Sequence, residues 1–344
     1  MKKALFVLPA AAYLLYRFNA KTSTTKIKGD SAISELKMVE INGTKLAVMI
    51  RGQDRNNPVL LCVTGGPSGS EIMMIKNIEG ELEKHFTVVH YDQRGAGKSF
   101  SLKEDYKDLN YHQHVEDLIA LTEYIREYLG KEKVYLMGHS YGTYLGTLAA
   151  NEKPEYYKAY VGVGQMSDMK EAEYYSLLSC AEAAKEAGNQ KDVKYLESIA
   201  DKVHNGEMIC PRKYVRKYKF AEHKKTRTGS YLLKGILFGP EYNIADGIKM
   251  IYSAIKYAMP LAMQSVADPL TKLAPEVKVP TYFLLGKYDG MTNTKAAKEY
   301  FDSLGGDVKK EFVVFEDSAH SPQIEENEKY VDWMCNVLLK ENEC

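Results

Sequence analysis

A chain of 344 residues is long enough for one large α/β domain carrying a sizeable insertion. Its 46 Lys and Arg balance 46 Asp and Glu, so net charge offers no electrostatic footprint for nucleic acid or another polyanion. An apolar fraction of 45% with 27% charged residues excludes a disordered chain, and the five cysteines (Cys62, Cys180, Cys210, Cys335, Cys344) form no C-x-x-C pair that would suggest a zinc site or small disulfide framework.

The chain opens with MKKALFVLPAAAYLLYRFNAK, two lysines followed by thirteen uncharged residues before Arg17. That length suits the apolar core of a signal peptide and is short for a membrane span. A cut after Ala20 would put bulky Phe18 where a small residue is wanted. Residues 1–20 are therefore expected to be an uncleaved export signal or short anchor, giving export or membrane association. The other reading is an amphipathic helix on a cytoplasmic protein.

After a polar stretch, LKMVEINGTKLAVMIRG places two alternating runs around Asn42-Gly43, the pattern of a β-hairpin. NPVLLCVTGGPSG, HFTVVHYDQRGAGKS and KVYLMGHSYG are then short apolar runs, each ending in a glycine-bearing loop. Such runs suit strands buried on both faces of a parallel sheet. Between them, HVEDLIALTEYIREYLG has helical spacing and stops at Gly130. KAYVGVGQ, PTYFLLGKYDG and KKEFVVFEDSAH supply three more strands. This alternation predicts an α/β fold with a mostly parallel central sheet and helices on both faces. The rhythm breaks over 165–268, where amphipathic helices replace strands; an inserted helical cap is expected there, dividing the core into 21–164 and 269–344. The basic run 212–227 within it reads as a solvated helix face.

GHSYG, at 138–142, sits between an apolar strand and the helix-like YGTYLGTLAANE. A strand-to-helix turn with small residues around a serine is what a nucleophile elbow requires, because the backbone there is strained and crowded. A serine needs a base, and the base an orienting acid. Of the histidines after Ser140, His204 and His223 fall in the helical insertion, and only His320 follows the last apolar run. Asp289 leaves the strand before it and is the expected acid, with Asp168 the runner-up; Asp317 lies too close to His320 in sequence and is read as shaping its turn. The oxyanion donors are expected to be the backbone N–H groups of Tyr141 and Gly66, with Gly65 the alternative to Gly66. TGGPSG is not followed by Gly-Lys-Ser/Thr, and RGAGKS lacks the first glycine of a phosphate loop, so no nucleotide, cofactor or metal is expected.

From Leu36 onward the chain resembles the α/β-hydrolase superfamily, and within it the prolyl iminopeptidase-like serine hydrolases. YDQRGAGKS at 91–99 is similar to that branch's Asp-Gln-Arg-Gly-x-Gly-x-Ser loop, and GGP at 65–67 to part of its His-Gly-Gly-Pro-Gly loop. The resemblance implies the same Ser140, Asp289 and His320 triad. Thr64 replaces the loop's histidine, Ser68 replaces a glycine, and GHSYG stands where the branch has Gly-Gly-Ser-Trp-Gly. The insertion has no tryptophan, so the Trp/Glu segment that holds a substrate's free amine is not recognisable; Glu171 and Glu173 are the candidates for that role, and their amphipathic helix predicts that they are solvated. The expected activity is a serine hydrolase working through an acyl-enzyme, an aminopeptidase of prolyl iminopeptidase type on small peptides. A carboxylesterase or amidase acting on a small acyl substrate is the alternative, and a catalytically silent, membrane-tethered binding protein the alternative of another class.

Overall fold

Asn42 and Gly43 both take positive φ, 47° and 74°, the pair that a type I′ turn demands. They join β1 (Ile33–Ile41) to β2 (Thr44–Gly52), with Ile41 opposite Thr44. A computed structural model describes residues 4–226 and 228–341. Six further strands follow: β3 (Val59–Val63), β4 (Thr87–Tyr91), β5 (Val134–His139), β6 (Tyr157–Val163), β7 (Thr281–Gly286) and β8 (Lys310–Phe315). Each is one of the six apolar runs. They form one sheet in the order β1-β2-β4-β3-β5-β6-β7-β8, antiparallel through β1, β2 and β4 and parallel from β4 to β8. The chain goes one way from β3 to β4 and returns past β3 to β5. The crevice at the carboxyl ends of β3 and β5 is therefore the switch point where such sheets bind ligands.

Helix α1 (Ala4–Asn19) precedes the sheet. At 1.5 Å per residue its 16 residues extend about 24 Å, and no described helix is long and apolar enough to cross a membrane. Residues 1–3 of the expected signal segment lie outside the described residues. Helix α2 (Tyr111–Leu129) starts three residues before the apolar periodicity suggests. Asn110 accepts from the Gln113 N–H, and the Gln113 side chain returns the bond, a capping box that fixes the earlier start. Gly130 ends it at φ 65°. The α2 side chains Leu118, Leu121 and Ile125 pack with Leu145 and Ala149 of helix α3 (Tyr141–Glu152) on one sheet face, while Tyr330, Trp333 and Met334 cover the other.

Half of the 26 tyrosines are buried. Tyr144, Tyr160 and Tyr300 are buried with their hydroxyls donating to the carbonyls of Asp268, Thr143 and Ala274 at 2.7, 3.0 and 2.7 Å. Such a partner offsets the cost of burying a tyrosine hydroxyl.

Between β6 and β7 the described chain is helical and covers the carboxyl edge of the sheet. Helix α4 (Met169–Glu186) is followed by short helices Gln190–Ser198, Ala200–His204 and Arg212–Lys217, then by α5 (Thr228–Phe238) and α6 (Ile244–Ala267). The basic run is not one solvated helix face. Arg212 is drawn inward to Glu173, Lys217 pairs with Asp192, and Lys224 pairs with Asp317; Arg227 lies outside the described residues.

Candidate active site

Ser140 follows β5 in a conformation no ordinary L-residue prefers, φ 53° and ψ −122°. Its N–H donates to the Val163 carbonyl at 3.0 Å, and its own carbonyl accepts from Thr143. Strain of this kind costs on the order of 1–3 kcal/mol and persists only where the surroundings enforce it. Here the glycines permit the turn. A Cβ on Gly142 would overlap the Val63 carbonyl at the end of β3, and one on Gly138 would lie 2.5 Å from the Gly142 carbonyl. The elbow thus presses against the loop after β3, where a Cβ on Gly65 would lie 3.0 Å from that of Ser140.

That loop, 64–70, is anchored from β4. Gln93 donates its amide to the Thr64 carbonyl at 2.7 Å, and the Asp92 carboxylate accepts from the Lys98 N–H at 2.7 Å and from the Tyr242 hydroxyl. Burial pushes the Asp92 carboxyl up to about 6 despite those bonds. Gly66 takes φ 135° and Ser68 φ 65°, so a glycine at position 68 in the resembled loop has a conformational reason. Gly66, Pro67, Ser140 and Tyr141 share one cavity of about 240 Å³ with Met166, Met169, Glu173, Arg212, Met291 and Thr292. The N–H of Tyr141 opens α3, among the first-turn donors that have no intrahelical acceptor.

Asp289 follows β7 and is buried. Its Oδ1 accepts from the N–H groups of Met291 and Thr292 at 2.7 and 3.1 Å, and its Oδ2 accepts from Thr292 Oγ1 at 2.8 Å. His320 Nδ1 lies 2.9 Å from the same Oδ2. Burial alone would raise this carboxyl; the His320 charge and the Thr292 bonds outweigh it and hold it below its ordinary pKa. The His320 ring rests on Gly164, φ 59°, where a Cβ would come within 3.1 Å of Nδ1. Gly164 follows Val163, the acceptor of the Ser140 N–H, so the His320 ring rests at the end of the strand next to the one that Ser140 follows. His320 opens into an adjoining cleft with Ser321 and Arg216, and Met291 lines both spaces. Among the described residues no hydrogen bond joins Ser140 Oγ to the ring, and such contacts are often loose before substrate binds.

The remaining candidates separate. Asp168 caps α4, accepting from Lys170 and Glu171, and does not meet His320. Asp317 is exposed against Lys224; His204 packs on Tyr174 and His223 stacks on Tyr288. Glu171 is half-buried and outside the cavity lining. Glu173, expected to be solvated, is instead buried at 2% exposure. Its Oε1 and Oε2 accept from Arg212 at 2.5 and 2.8 Å, and Oε2 also accepts from the Cys210 N–H at 2.9 Å. Helical periodicity misled because a separate segment, 210–212, covers that side of α4. Arg212 was missed for the same reason, as was Glu71, whose Oε1 lies 3.1 Å from His139 Nδ1. The histidine inside GHSYG was the one available signal for that pair.

Cys62, Glu79 and His90 bring ligand atoms within 4.8 Å of one another on the face packed by Tyr330 and Trp333. Binding an ion there would require deprotonating a thiol that burial and the carboxylates of Glu79 and Glu71 hold well above its ordinary pKa.

A family model described as alpha/beta hydrolase fold matches residues 58–193, the stretch that holds the 64–70 loop, the elbow and α4. The chain has the α/β-hydrolase fold. Over 303 residues it is 29% identical to a probable aminopeptidase, YbaC, of Bacillus subtilis, covering 86% of this chain and 93% of that one. It is 26% identical over 296 residues to a proline iminopeptidase of Saccharolobus solfataricus, covering 82% and 84%. The crystal structure of a proline iminopeptidase-related protein from Thermus thermophilus superposes with a TM-score of 0.60 at 19% identity, over 89% of this chain and 97% of that one. This chain, with the α/β-hydrolase fold, is accordingly an enzyme of the hydrolase class, similar to proteins named proline iminopeptidase.

Proposed function

We propose that this α/β hydrolase is a serine hydrolase in which Ser140 attacks an acyl carbon, His320 moves the proton and Asp289 orients and stabilises the imidazolium. The observation that carries the reading is the 2.9 Å His320–Asp289 bond on a ring packed against Gly164, one strand away from the strained Ser140. Ser140 Oγ adds to the carbonyl carbon as its proton passes to His320 Nε2. The oxyanion takes the N–H groups of Tyr141 and Gly66, and the leaving group departs with the proton from His320. Water then repeats the sequence on the acyl-enzyme and regenerates the serine. The helical cap supplies the acyl pocket through Met166, Met169 and the wall of α6.

The relatives' names support an aminopeptidase of prolyl iminopeptidase type acting on small peptides, with Glu173 the carboxylate nearest to an amine-binding role. A second reading, an esterase or amidase indifferent to a free amine, is favoured by one observation: Arg212 already neutralises Glu173 through two hydrogen bonds. A fluorophosphonate probe is expected to label the wild type and not Ser140→Ala; equal labelling of both sinks the triad. Prolyl- and alanyl-arylamides compared with N-blocked versions and p-nitrophenyl esters separate the two substrate classes.

A further inference from the structure

The insertion presents an apolar surface that the core does not bury. Helix α6 turns Ile248, Ile251, Tyr252, Ile255 and Met259 outward, with Ile251 56% and Ile255 80% exposed. Their spacing of three or four residues gathers them on one stripe about 100° wide. The opposite face, with Met250, Ser253, Leu261 and Ser265, is buried, so the outward apolar stripe is not the face that packs on the core. Helix α5 adds Leu233 and Phe238, and α1 packs on both helices with Leu15 68% exposed. Helix α1 is held there by Arg17, which donates to the carbonyls of Ile236, Gly239 and Tyr242 at 3.0, 2.7 and 2.6 Å, and by Tyr13 beside the Phe238 ring. Exposed apolar side chains gathered on helices that touch one another mark an interaction site.

The chain as a whole is neutral, yet the segments 4–29, 223–240 and 247–267 contain no aspartate or glutamate. They carry Lys21, Lys26, Lys28, Lys225, Lys234 and Lys256, all exposed.

We propose that this face of α1, α5 and α6 seats the enzyme on an anionic lipid bilayer, with α6 lying in the interface plane. Apolar side chains enter the acyl boundary while flanking lysines meet anionic headgroups, the division of labour of a monotopic amphipathic surface. A second copy of the chain fits less well, because a two-fold contact would set the same basic rim against itself. Docking does not depend on the serine-hydrolase reading. If that reading holds, docking places the cavity at the lipid, because Met259 belongs both to the exposed stripe and to the cavity wall, followed by Ala262 and Val266 one and two turns on. Substrates with an apolar acyl or aminoacyl group partitioned in the interface would then enter beside Met259.

The test uses the full chain with vesicles of phosphatidylcholine alone or mixed with phosphatidylglycerol, read by co-sedimentation and, separately, by light scattering after gel filtration. The wild type and Ser140→Ala are expected to bind the anionic vesicles equally. The exposed pair Ile251→Asp/Ile255→Asp is expected to bind about tenfold more weakly or worse, while keeping its melting temperature and its fluorophosphonate labelling. Wild type remaining in the supernatant with both vesicle types overturns the proposal. So does a stable dimer that the aspartate pair dissociates without any vesicle binding. Loss of labelling in Ser140→Ala together with failure to sediment would leave the serine hydrolase standing and remove only the docking.

Discussion

His139 forms a buried pair with Glu71, Nδ1 to Oε1 3.1 Å, while its Nε2 lies 3.3 Å from the main-chain carbonyl of His320. The residue just before Ser140 therefore ties the loop after β3 to the loop that carries His320. Burial would make the imidazole neutral; the Glu71 hydrogen bond and charge override it and raise its pKa, and the reciprocal attraction lowers that of Glu71 against its own desolvation. The raised histidine contributes stability that is complete below about pH 6.5 and is lost as pH rises through its folded value. The lowered glutamate contributes stability above about pH 4.5 that is lost as pH falls through its own folded value. Glu71→Gln is therefore expected to cost about 3 kcal/mol near pH 6 and distinctly less at pH 9. Urea denaturation at the two pH values measures the difference, and an equal loss at both would exclude the charged pair.

Asp289→Asn keeps an acceptor for the Met291 and Thr292 N–H groups but offers His320 no carboxylate. Turnover is expected to drop on the order of 10⁴-fold with a small change in melting temperature, the loss that follows when a triad histidine takes the wrong tautomer. Because the folded pKa of Asp289 is lowered, its stabilisation is present above about pH 3.8 and lost as pH falls further. The asparagine variant is thus expected to lose less stability than the wild type between neutral pH and pH 3.

Gly142→Ala places a methyl group against the Val63 carbonyl, where two backbones rather than a flexible side chain would have to move. A loss of about 1–3 kcal/mol in unfolding free energy is expected, with slower fluorophosphonate labelling because the elbow shifts. Denaturation and labelling rate are measured on the same sample, and unchanged values for both would deny the close approach of α3 to β3.

Arg212 and Glu173 decide what the cavity electrostatics favour. Arg212→Met leaves the carboxylate unneutralised and is expected to lower KM for free-amine arylamides without affecting N-blocked ones. Glu173→Gln strands the guanidinium and is expected to raise KM for free amines, with a stability loss of about 3–5 kcal/mol typical of a broken buried pair. Identical KM changes for free and blocked substrates would remove Glu173 from amine recognition.

The order of strands, the hairpin turn at Asn42-Gly43 and the places of Ser140, Asp289 and His320 at strand-ending loops were legible along the chain, because each depends on local period, turn chemistry and order. The start of α2 was partly hidden, since its first turn is polar and is held by a capping box rather than by apolar spacing. What local pattern cannot encode is which segment covers which face. The fate of Glu173 was decided by residues 210–212, and the pairing of Glu71 with His139 by a sheet that brings the ends of β3 and β5 together. The outward apolar stripe of α6 belongs to the same class: its residues read as core by composition, and only packing shows that the core lies on the helix's other side. Sequence determined the elements and the places of Ser140, Asp289 and His320 after their strands because those follow from neighbours in the chain. Tertiary structure decided burial, charge compensation and the exposed face because those follow from neighbours in space.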